Sequence, residues 1–117
     1  MPTETIAIET NEAEWSGPCL RLDLPVPDTD GAVVVAALIA EPVRAGILAI
    51  LRDGPRCVCE MAAALDVKQN NLSNHLARLR EAGLVRASRH KVDARWVYYE
   101  RDEEAIAAAS GALSQVL

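Results

Sequence analysis

At 117 residues with a formal charge of −5, the chain has room for one small domain and excludes most multi-domain enzymes. Half of it is hydrophobic and a quarter charged, which argues against wholesale disorder. No run of about 18 apolar residues exists to span a membrane, and the Met1-Pro2-Thr3-Glu4 start is no secretory signal. Three cysteines, an odd number, do not suit a secreted disulfide framework. The expectation is a soluble, cytoplasmic protein with reduced thiols. Its only aromatics are Trp15, Trp96, Tyr98 and Tyr99, so the core must be aliphatic. A core this small favours a subunit interface that hides further apolar surface.

Residues 1–29 read as an extension that carries Cys19, broken by Pro18, Pro25 and Pro27 and rich in acids. Residues 30–117 read as the domain. Asp30-Gly31 opens an apolar run over residues 32–40, predicting a helix buried all round, most simply between subunits. Pro42 suits the first turn of a second helix, with Val43, Ile47, Ile50 and Leu51 inward, ended by Asp53-Gly54-Pro55.

Residues 56–65 place Val58, Met61, Ala62 and Leu65 on one face of a short amphipathic helix. After a tight break at Asp66-Val67, a second helix carries Leu72, Leu76 and Leu79 inward and ends at Ala82-Gly83. Two short helices in this arrangement describe a helix-turn-helix. Leu84-Val85 and the alternating Trp96-Val97-Tyr98-Tyr99 then read as two strands around a polar tip, His90-Lys91-Val92-Asp93. A basic hairpin there is a wing. Asp102 with Glu103 and Glu104 starts a last helix, with Ile106, Ala109, Leu113 and Val116 inward, suited to pair with the first.

Charge is divided along the chain. Residues 1–67 hold four basic and eleven acidic side chains, whereas residues 68–101 hold eight basic against three acidic. The basic third coincides with the second helix and the hairpin, and phosphate binding depends on local potential rather than total charge.

From residue 37 to residue 100 the sequence resembles the arsenical-resistance repressor (ArsR/SmtB) family of metal-sensing winged-helix regulators. The resemblance rests on ALIAEPVRAGILAILRDG, RCVCEMAAALDVKQNNLSNHLARLREAGLVRASR and RWVYYE. Within these, Cys-Val-Cys-Glu, Ser-x-His-Leu and Leu-Arg-Glu-Ala-Gly-Leu-Val are the specific combination. It implies a mainly α winged helix-turn-helix with a small β-hairpin, dimeric through its first and last helices. It also implies binding to double-stranded operator DNA that ends when a metal ion arrives.

On the recognition helix, Asn70 and Asn74 lie nearly opposite Leu72, with Ser73 to one side. Asn and Gln can read adenine edges bidentately, so Gln69, Asn70, Asn71, Ser73, Asn74 and His75 are the candidate groove contacts. His75 is read as a DNA-side or packing residue, not a metal ligand. Arg78, Arg80, Arg86, Arg89, Lys91 and Arg95 are the candidate phosphate contacts. Lys68 stands where the family usually has Ser or Thr. A long cation cannot cap donors, so the helix starts a residue away or its first turn frays.

Cys57 and Cys59 match the family's thiolate-rich site on the preceding helix. In a regular helix they would diverge by about 200°. They converge only if the segment at residues 55–57 is non-helical or an ion distorts the first turn. A helix N-terminus favours the thiolate, and soft thiolates select thiophilic ions. Ala63 and Ala64 offer no third thiol, which leaves Cys19 as the candidate. Three thiolates suit As(III) or Sb(III), with Cd(II), Pb(II) and Bi(III) as alternatives. The last helix has no His for the family's other type of site. A redox sensor using the same cysteines and a protein-binding module are the competing functions. An enzyme is disfavoured, since there is no phosphate-cradling loop, nucleophile elbow or paired carboxylates beside a His.

Overall fold

The computed structural model describes residues 23–89 and 97–117. Cys19 and the first 22 residues, the hairpin tip with Lys91, and Arg95 and Trp96 lie outside them. Residues 23–29 form no helix or strand and are exposed.

Within a single chain, helix α1 (Asp30–Ile39) leaves open the apolar side for which the sequence expects a second subunit. Only Ala32 is buried, while Val33 and Val34 are each 60% exposed. Here α1 packs on the last helix and on the helix next in sequence, which leaves the side bearing Val33 and Val34 open. Helix α2 (Pro42–Ile50) starts where Pro42 takes the first position, and the Glu41 carboxylate accepts from Val43 N (2.7 Å) and Arg44 N (3.1 Å). Both would otherwise be orphan donors of the first turn. A 3-10 turn (Leu51–Asp53) closes it.

Arg56 and Cys57 are not helical. They form a two-residue strand β1 (Arg56–Cys57), and helix α3 (Val58–Leu65) begins after it. Asp66, left-handed at φ 55°, ends α3 and makes the tight turn into α4 (Gln69–Glu81). The helix does not start a residue away: Lys68 is the cap residue, extended, and its side chain caps nothing. Asn70 Oδ1 instead accepts from the Asn71 N–H at 2.8 Å. Gly83, at φ 81°, lets the chain leave α4, with Leu84 N bonded to Leu79 O; a left-handed residue without a Cβ avoids steric strain there.

Strands β2 (Val85–Arg89) and β3 (Val97–Arg101) pair antiparallel, and β1 adds to the outer edge of β3, giving the order β1-β3-β2. The sheet thus has one strand more than the expected hairpin. Two residues carry no alternation, so β1 exists only because β3 offers it a partner, Arg56 opposite Tyr99 and Cys57 opposite Tyr98. Helix α5 (Glu103–Ser114) is capped by Asp102, whose carboxylate accepts from Ala105 N at 3.1 Å. It ends before Val116, which is 55% exposed rather than inward.

The core gathers Ile47 and Leu51, Met61 and Ala62, Leu72, Leu76 and Leu79, and Leu84 and Val85. Each large side chain buried there contributes about 2 kcal/mol of transfer free energy. Because three of them are leucines of α4, the core fixes which face α4 turns outward. Among the described residues, no single helix is long and apolar enough to cross a membrane.

Candidate nucleic-acid interface and thiol pair

With Leu72, Leu76 and Leu79 buried, Asn70 and Asn74 lie opposite them on α4, and Gln69, Asn71, Ser73, Arg78 and Arg80 are exposed along its flanks. This gives one face of amide and hydroxyl side chains near the helix start and cations toward its end. His75 is turned inward. Its Nδ1 lies 3.1 Å from Arg44 Nη1 and 3.8 Å from Glu41 Oε1, so it packs on the start of α2.

The cations are not equivalent. Arg80 lies over the Tyr99 ring, 5.8 Å from its centroid, a cation–π contact that joins α4 to the sheet. Arg86 Nε bonds Glu100 at 3.0 Å, directly across the β2–β3 ladder, and its Nη1 is 3.6 Å from Asp102. The Glu100 hydrogen bond and charge hold the guanidinium pKa above its ordinary value. Arg89 ends β2. Lys91 and Arg95 lie outside the described residues.

The two cysteines converge. Because Cys57 is extended (φ −89°, ψ 167°) and only Cys59 is helical, their sulfurs meet at 3.1 Å. This realises the non-helical route to convergence. Cys57 also caps α3: Glu60 N–H donates to its sulfur, while the Glu60 carboxylate accepts from Cys57 N at 2.9 Å. Cys57 is buried and Cys59 exposed, both as free thiols.

The expected thiolate bias at this helix start is outweighed at Cys57. Burial and the hydrogen bond with Cys59 push its thiol pKa up, although the Glu60 N–H pulls the other way. Glu60 titrates below the usual carboxylate range because the Cys57 N–H bonds its charged form. Among the described residues, no three His, Cys, Asp or Glu side chains gather as a metal site.

Glu41 and Arg44 were not singled out by the sequence. Glu41-Pro42 signalled a helix start and nothing more, and no periodicity links it to a histidine on another helix.

Residues 41–87 match the sequence pattern of the bacterial regulatory protein, arsR family. The arsenic resistance transcriptional regulator ArsR1 of Pseudomonas putida is 42% identical over 72 residues, covering 61% of this chain and 54% of that protein. The HTH-type transcriptional regulator CmtR of Mycobacterium bovis is 39% identical over 79 residues, 68% of this chain and 64% of that protein. The chain thus spans about half to two thirds of the length of these curated relatives. A crystal structure described as a possible transcriptional regulator for arsenical resistance superposes with a TM-score of 0.62 at 30% identity, over 69% of this chain and 81% of that one. Such neighbours fix the fold as a winged helix-turn-helix. With that fold and the Cys-Val-Cys-Glu and Ser-x-His-Leu motifs in place, the chain belongs to the arsR family of bacterial regulatory proteins, which are transcriptional regulators and not enzymes.

Proposed function

We propose that this chain is a dimeric, cytoplasmic repressor that holds double-stranded operator DNA and is released when As(III) or Sb(III) binds Cys57, Cys59 and Cys19. The observation that carries the reading is the 3.1 Å approach of the Cys57 and Cys59 sulfurs at the start of the first helix of the helix-turn-helix. Two metal–sulfur bonds of about 2.3 Å place their sulfurs about 3.3 Å apart at a right angle and about 3.8 Å apart at the tetrahedral angle. The pair is closer to the first, the geometry of a pyramidal ion whose lone pair takes the fourth direction.

Binding needs no redox step. As(OH)3 exchanges each hydroxyl for a cysteine sulfur, and each thiol proton leaves with that hydroxyl as water. Three thiols release three waters. Relatives named for arsenic resistance support a metalloid inducer, and Cd(II), Pb(II) or Bi(III) at the same thiolates is the alternative.

Gln69, Asn70, Asn71, Ser73 and Asn74 would meet base edges, and Arg78, Arg80, Arg86, Arg89, Lys91 and Arg95 phosphates. The dimer would form through α1 and α5. Between them lies an apolar groove of about 470 Å³, lined by Ala32, Val33, Ala36, Ile39 and Leu113 among others. An ion that binds the DNA-incompetent arrangement better draws the population away from the operator, by linkage.

The test is operator release by arsenite, antimonite, Cd(II) and Pb(II), on wild type and on Cys19→Ser, Cys57→Ser and Cys59→Ser. Each variant should bind DNA and ignore arsenite. If Cys57→Ser and Cys59→Ser both remain inducible, the site is elsewhere.

The sulfur contact also favours a second reading, a peroxide sensor. There, hydrogen peroxide takes both thiol protons and two electrons, giving a Cys57–Cys59 disulfide and two waters. Release by peroxide without any response to arsenite would select it.

A further inference from the structure

Arg44 sits where three helices meet. Its Nε donates to Leu38 O at 2.6 Å and its Nη2 to Ala37 O at 3.3 Å, which closes the carbonyl end of α1. Its Nη1 reaches His75 Nδ1 on α4 at 3.1 Å. Its own backbone N–H is held by Glu41, whose carboxylate oxygen also lies 3.8 Å from His75 Nδ1.

A guanidinium only donates hydrogen bonds, so His75 Nδ1 must accept. Neutral His75 is thereby fixed with its proton on Nε2. The ring is half-buried, and Nδ1 is committed to the protein.

We propose that Arg44, Glu41 and His75 form a strut that sets the angle of the reading helix α4 against α1, making His75 a positioning residue for operator binding and not a contact. The inference rests on the operator-binding reading above. Its physical ground is geometric. A dimer reads two half-sites a fixed distance apart, so the link from the subunit-pairing helix to each reading helix decides whether both fit at once. The leucines of α4 fix which face points outward, but apolar contacts permit sliding and tilting. A directional hydrogen bond from a residue anchored on α1 restricts them.

The strut makes a prediction that a direct contact does not. Asn carries its Oδ1 on the same atom from which His carries Nδ1, so His75→Asn keeps the acceptor for Arg44 and discards Nε2. His75→Leu discards both. The probe is a duplex selected by the wild-type protein from random sequences, with unselected duplex as the control, and thermal unfolding is recorded for every variant.

Operator affinity should fall about five- to tenfold in His75→Leu and stay within about twofold of wild type in His75→Asn. Unselected duplex should bind all three alike, and the salt slope should not change, because no phosphate contact is lost. Arg44→Met should weaken the operator as His75→Leu does, and the double variant should be no weaker than either single one. In wild type, nitrogen NMR should show His75 protonated at Nε2.

If His75→Asn binds as weakly as His75→Leu, Nε2 is a direct contact and the strut is overturned. Wild-type affinity in His75→Leu, or fully additive losses in the double variant, overturns it equally. If the wild type selects no duplex while the Nε2-protonated ring is still seen, the operator reading fails and the strut's role in it falls too.

Discussion

Cys57 stands opposite Tyr98 on the β1–β3 ladder, so the residue that caps α3 is also a rung of the sheet that bears the wing. The next residue of β3, Tyr99, carries the Arg80 guanidinium of α4 on its ring. A force on the Cys57 sulfur therefore acts on a backbone shared with the wing. From there it is one contact away from the reading helix.

The raised Cys57 thiol separates the candidate inducers. Cd(II) and Pb(II) must displace thiol protons, so their affinity should climb as pH rises from about 6 to about 8.5, toward the ordinary thiol range. As(OH)3 takes the protons away as water and should show little dependence over the same range. For folding, the sign is the one expected of a raised pKa. The stabilisation of the neutral thiol is complete below the unfolded cysteine's range and is lost as pH climbs through the folded value. Thermal unfolding of wild type should fall more steeply with alkaline pH than that of Cys57→Ala. Equal slopes would contradict it.

Arg86 is occupied by Glu100 and Asp102. Glu100→Gln removes the stronger of the two carboxylate holds and one negative charge from the wing. DNA affinity should rise for all sequences, and the slope of log affinity against log salt should steepen by up to about 0.9, the share of one phosphate. Fluorescence titration at several salt concentrations reads this. An unchanged slope means that Arg86 never reaches the backbone.

Val33 lines the α1–α5 groove and is 60% exposed within one chain. A glutamate there would place an unpaired charge in the proposed subunit interface at no cost to the isolated fold. Val33→Glu should sediment as a monomer with unchanged far-UV dichroism and lose about a hundredfold or more in operator affinity, since two half-sites are no longer linked. A dimeric Val33→Glu places the interface on another face.

Two variants probe the scaffold alone. Gly83 at φ 81° makes Gly83→Ala worth about 1–2 kcal/mol of lost stability. Leu76, 2% exposed in the core, makes Leu76→Ala worth about 3 kcal/mol. Denaturant titrations should show both, with arsenite still binding the folded fraction.

Much of the fold was legible because it obeys local rules. Pro42 and Gly83 mark helix ends through fixed or freed backbone, Asp102 caps through its own carboxylate, and the spacing of Leu72, Leu76 and Leu79 fixes the outward face of α4. What was not legible depends on partners distant in sequence. Strand β1 is made by β3, whose paired residues lie more than 40 positions away. The same pairing holds Cys57 extended, which decides that the sulfurs meet. His75 and Arg44 are 31 residues apart, and nothing in either segment announces the other. The apolar run of α1 announces a need for cover, but hydropathy does not say which surface supplies it.

The bare start of α4 has one more consequence. The Lys68 side chain caps nothing, and the Asn71 N–H of the first turn is held by Asn70 Oδ1. If Asn70 reads a base edge as proposed, it gives up the amide that it satisfies in the free chain. Recognition is then an exchange of bonds at the tip of the helix rather than a docking of rigid bodies. Hydrogen exchange at Asn71 would record that trade, slow in the free protein and altered first on the operator.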